Sequence, residues 1–185
     1  MAENSKRSPS GEHRPFRTSL TAQAAAQTVI AAARESGVLD DGALVVDPAL
    51  AEMEKALFAG MFKAVARRGV PSLTADEFSS MFHFVFARAA EAASACWSKR
   101  PFETGTDGLF DGKTPFYADD ALKGYIHAQE FPVKCAQRCW DNLAAVAAAG
   151  GSDCDPLLPL FEALKWCFRI GCHASLRFLE ERHRA

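Results

Sequence analysis

Leu73–Arg100, LTADEFSSMFHFVFARAAEAASACWSKR, is the stretch on which the reading of the fold turns. Thr74 and Glu77 stand at the spacing of a capping box, in which each side chain accepts a hydrogen bond from the other residue's backbone amide. Leu73 and Phe78 occupy the flanking positions of a hydrophobic staple. At about 100° per residue, Phe78, Met81, Phe82, Val85, Phe86, Ala89, Ala92, Ala93 and Cys96 then fall on one arc, until Pro101 stops the helix near Lys99 or Arg100. The large side chains come early on this arc and the small ones late, so another helix can approach the second half closely. The pattern is that of a central helix.

Outward from it, the segment before is also marked at both ends. Asp47 can cap free amides, Pro48 suits the first helical position, Arg67 and Arg68 oppose the dipole at the C-terminus, and Gly69 with Pro71 ends the run. Leu50, Met53, Leu57, Phe58, Met61, Phe62, Ala64 and Val65 cover about half of its circumference, which calls for more than one neighbour. A first helix is expected from Thr21 to Ser36, stopped by Gly37. The Asp41-Gly42 turn signal after it reads as part of a helix connection rather than a hairpin. A short helix is expected from Asp119 to Ala128, and a fifth from Pro132 to the Gly150-Gly151 pair. The last begins between Asp155 and Pro159 and runs to the C-terminus, with Leu157, Leu160, Phe161, Leu164, Phe168, Gly171, Ser175, Phe178 and Leu179 in one stripe. The prediction is an all-α, single-domain helical bundle of about six helices, with one long ordered loop at 100–118. Residues 1–18 read as a disordered basic tail and 19–185 as the helical domain.

Composition supports this class. The 185 residues are 49% hydrophobic and 24% charged, enough for a real core, and 34 Ala against 9 Val and 3 Ile argue against a sheet-based enzyme fold. A net charge of −2 excludes a strongly basic nucleic-acid binder as a description of the whole chain. The tail carries Lys6, Arg7, Arg14 and Arg17, half offset by Glu3 and Glu12, a weak handle for an anionic partner; nucleic-acid association through it is therefore a second alternative only. No stretch approaches the roughly 18 apolar residues of a membrane span, and the start lacks the apolar core of a secretory signal. Six cysteines in such a chain are expected to be reduced thiols, and the expected location is the cytoplasm.

The segment Arg100–Ala118, RPFETGTDGLFDGKTPFYA, exceeds ordinary connection lengths, and such loops are often functional. Within it GLFDGKT is one residue shorter between its glycines than a phosphate loop, and it lacks the preceding strand and following helix which that chemistry needs. A calcium-loop alignment puts Asp107, Asp111 and Gly112 in place but leaves Leu109 and Ala118 at ligand positions. The plain reading is an ordered loop pinned by its aromatics, with Asp107, Asp111 and Lys113 as its candidate binding groups.

Cys135 and Cys139 stand four apart, about 40° on a helix, and could share one ion. Cys167 and Cys172 are about 140° apart, on opposite borders of the last helix's stripe, and are not expected to share a metal. A metal-binding or thiol-redox protein built on Cys135 and Cys139, with a thiol from the last helix, is the leading alternative. His13, His83 and His127 have no partner motif for catalysis, and no cofactor is implied. Two features favour a non-enzymatic binding module, for a protein partner, a second copy or a small ligand. Lys165, Arg169, His173 and Arg177 form a drifting basic row flanked by Trp166 and Ile170, and Phe84 with Arg88 lies off the main arc of the central helix. Exposed aromatics beside Arg have the composition of binding hot spots; the competing reading is that neighbouring helices cover them.

Overall fold

The computed structural model describes residues 15–40, 44, 47–69, 73–113, 119–148 and 157–185, with side chains described outside 15–21 and 143–148. Six helices follow one another: α1 (Pro15–Glu35), α2 (Pro48–Arg68), α3 (Ala75–Trp97), α4 (Asp120–His127), α5 (Phe131–Ala148) and α6 (Leu157–Arg184). Among the described residues there is no strand. The all-helical expectation is met, and the N-caps of α2 and α3 lie where the sequence placed them. Asp47 accepts from the Ala49 amide at 2.7 Å, and Thr74 and Glu77 exchange both capping-box bonds at 2.9 and 3.1 Å.

Helix α1 starts at Pro15, six residues before the expected Thr21, so residues 15–18 belong to a helix and not to a tail. Arg14, not a Ser, Thr, Asp or Asn, stands directly before Pro15 in the sequence, yet proline's fixed φ suits a first helical position. The remainder of the expected tail, the Asp41-Gly42 turn, the Gly150-Gly151 stop and loop residues 114–118 lie outside the described residues.

Helices α1, α3, α5 and α6 close a four-membered ring, since both α6 and α5 pack on α3 and on α1. Phe78, Phe82, Phe86, Phe131 and Phe168 are fully enclosed within it. The α3–α6 contact is closest where α3 turns to small residues: a Cβ at Gly171 would lie 2.7 Å from that of Ala89. Helix α2 lies outside the ring against α6 and α3, and α4 against α3 and α6. Each of these two peripheral helices borders one of the concavities described below.

The long loop is described as far as Lys113. Its residues 104–106 pass between α2 and α3: a Cβ at Gly60 would meet Thr106 Cγ2 at 3.3 Å, and Arg88 Nη2 donates to the Gly105 carbonyl at 2.7 Å. Leu109 is buried beneath it. Gly108, at φ 90°, could carry no Cβ, which would fall 1.8 Å from the Lys113 carbonyl oxygen.

Candidate ligand cleft

Helix α2 buries Leu50, Glu54, Leu57, Phe58, Met61 and Val65, a stripe along one side. Its apolar arc is wider than that stripe, and Phe62, at the edge, keeps 50% of its surface exposed. Opposite it the first turns of α6 present Phe161, buried, and Leu158, 46% exposed. Between the two helices lies a cleft of about 470 Å³ lined by Glu54, Lys55, Phe58, Ala59, Phe62, Leu157, Leu158, Phe161 and Lys165. Its floor is aromatic: Phe161 meets Phe62 edge-on at 5.4 Å and Phe58 at 6.0 Å, and Phe58 rests on Phe168 at 6.0 Å. Phe168 reaches the main core, so the floor is anchored in the ring.

The electrostatics of the cleft are asymmetric. Both oxygens of Glu54 accept from Arg169, from Nε at 2.8 Å and Nη2 at 2.9 Å, a two-pronged pair in which each charge compensates the other. The bond to Glu54 raises the Arg169 pKa further above its ordinary value. Arg169 also lies over the Trp166 ring at 5.5 Å, and Trp166 donates to Glu162 at 3.2 Å. Lys55 and Lys165, one on each wall, have no carboxylate within ion-pair distance among the described residues.

The structure therefore redistributes the residues singled out in the sequence. Lys165 lines the cleft, and Arg169 and Trp166 stand behind its wall. Arg177 pairs with Asp40 at 2.8 Å, away from it. His173 is half-buried, its Nε2 without a hydrogen-bond partner among the described residues. The basic row is thus no continuous cationic face, because its arginines are spent holding α6 to α2 and to the turn after α1. Phe84 and Arg88 must be corrected: they are 0% and 4% exposed. The 104–106 segment lies over that side of α3, with the Arg88 guanidinium above the Phe84 ring at 5.4 Å, so the pair anchors the loop rather than meeting a partner.

In the loop, Asp111 accepts from the Lys113 amide at 3.1 Å and pairs with its ammonium at 3.4 Å. That is a local turn which engages Lys113 with its neighbour; Asp107 is exposed. Among the described residues no group of three or more His, Cys, Asp or Glu is arranged to hold a metal ion.

Cys135, Cys139, Cys167 and Cys172 are all buried free thiols. Burial is the chief cause that pushes each thiol upward, Cys139 to about 12, and Cys135 additionally feels Cys167 and Cys139. Reactive thiols are displaced the other way. Cys167 and Cys172, at the two borders of the apolar stripe of α6, point their thiols to the Phe82 and Ala89 carbonyls of α3, at 3.8 and 3.4 Å. Helix α3 covers the stripe between them.

A second, more polar cavity of about 340 Å³ lies between α3, α4 and Gly112, lined by Asp76, Ser79, Ser80, His83, Ala87, Gly112, Ile126 and His127. Burial and then the neighbouring His127 lower the His83 pKa below the usual histidine range.

Sequence reasoning missed Phe62, Leu158 and Lys55 as site residues. The available signal was the breadth of the α2 arc, which exceeds what one peripheral helix can bury. No family model matches the chain, and neither a curated protein nor a solved structure does. No helix of the described residues is long and apolar enough to cross a membrane.

Proposed function

We propose that the protein is a non-enzymatic α-helical binding module that holds a small ligand in the cleft between α2 and α6. The observation that carries this reading is the half-exposed Phe62, set against Phe161 at the mouth of a concavity within the about 300–1,000 Å³ range of small-molecule sites. Apolar surface of this kind is costly to leave in water, and a guest that covers Phe62 and Leu158 removes that cost. Among the described residues the cleft's one carboxylate, Glu54, is engaged by Arg169, and its lining holds no second carboxylate, histidine or thiol, which favours binding over acid-base chemistry. A cytoplasmic setting belongs to the same proposal and is supported by the free thiols.

The test is a titration of the full chain with a neutral, polarity-sensitive dye such as N-phenyl-1-naphthylamine. The expected result is a saturable rise in fluorescence that Phe62→Asp abolishes while the helical circular dichroism stays unchanged. No rise, or an equal rise in the variant, would overturn the cleft as the binding site. Light scattering of the same samples distinguishes ligand capture by a monomer from pairing of two copies through Phe62 and Leu158; dimers that dissociate in Phe62→Asp would replace the small-ligand reading.

A further inference from the structure

The chemistry around the cleft narrows its guest, if the ligand-binding reading just given is granted. We infer that the occupant is a single amphiphilic molecule with an anionic head, of the medium-chain carboxylate class, its chain on Phe58, Phe62 and Phe161 and its head between Lys55 and Lys165. Three charged side chains line the cleft. Glu54 is matched oxygen for nitrogen by Arg169, so a cationic guest finds no free carboxylate there. Lys55 and Lys165 remain unmatched among the described residues, on opposite walls of an aromatic floor. A docked amphipathic helix would need a row of pockets at helical spacing. This lining comes from two short stretches, 54–62 and 157–165, which suits one chain laid across them.

The experiment compares decanoate, decanol and decyltrimethylammonium, each below its self-assembly concentration so that free molecules are probed rather than bilayers or micelles. Calorimetric titration uses the full chain, the Lys55→Gln/Lys165→Gln double variant and Phe62→Ser; all three positions are solvent-accessible, and thermal melts check that each variant is folded. At low salt decanoate should bind about tenfold more tightly than decanol, the combined effect of two weak surface ion pairs, and the preference should shrink as salt is added. Decyltrimethylammonium should bind more weakly than decanol. The double lysine variant should lose the preference for decanoate and keep its affinity for decanol, and Phe62→Ser should weaken all three ligands.

Equal binding of decanoate and decanol, or a preference that survives the double variant, would overturn the anionic class while leaving the cleft a binding site. Failure of all three to bind, or binding undiminished by Phe62→Ser, would overturn the cleft as well.

Discussion

At position 171 a methyl group would lie 2.7 Å from Ala89 Cβ and 3.0 Å from the Phe86 ring, closer than real side chains approach. Gly171→Ala gains about 0.5–1 kcal/mol of helix propensity, but over-packing a tight core typically costs about 1–3 kcal/mol. The variant should therefore lose roughly 1–2 kcal/mol in urea unfolding; an unchanged or higher midpoint would show that α3 and α6 can part more easily than their contact implies. The thiols give a second test at this scale. Cys135, Cys139, Cys167 and Cys172 should resist alkylation in the native protein and react on unfolding, because burial removes both access and thiolate character. Half-buried Cys96 should react before them. Rapid native labelling of Cys135 or Cys139, read by mass spectrometry of peptides, would revive the thiol alternative. Single residues were also where the sequence was least legible. Phe84 and Arg88 look surface-bound from helical phase alone, and only the placement of a distant loop segment covers them. Arg169 and Arg177 look free because their partners, Glu54 and Asp40, are more than a hundred residues away.

Elements were easier to read, where their ends carry chemistry. The starts of α2 and α3 follow from Asp47, Pro48, Thr74 and Glu77, since a cap is a contact among neighbours in sequence. Thr74→Ala should cost about 0.5–2 kcal/mol in chemical denaturation, and Thr74→Ser should restore most of it; a neutral Thr74→Ala would mean that the Arg68–Glu77 pair alone holds this end. The start of α1 was missed because its side-chain cap signal is absent. The α3–α4 contact has a pH dependence of its own. Burial, with His127 nearby, lowers the His83 pKa from 6.5, so below that value the unfolded chain takes up a proton that the folded side chain still refuses. Stability should fall as the pH drops from about 7 towards 5, and His83→Gln should flatten that slope. An identical slope in the variant would assign the loss to other groups.

Among the described residues, the ring of α1, α3, α5 and α6 encloses Phe78, Phe82, Phe86, Phe131 and Phe168, and each of the two helices outside it borders one of the two described clefts. The sequence supplied the class of fold because apolar periodicity and caps are local. It did not supply the ring, because which helix lies inside and which outside depends on long-range packing. The same limit hid the cleft: Phe62 was visible as part of an over-wide apolar arc, but its exposure follows only once α2 is known to be peripheral. On the function proposed above, this exposed edge is a ligand site. The most direct measurement is backbone amide NMR of the full chain with and without saturating decanoate. The claim predicts shifts concentrated in residues 54–62 of α2 and 157–165 of α6, with the second cavity around His83 and His127 unaffected. Shifts centred on that second cavity, or none at all, would contradict it.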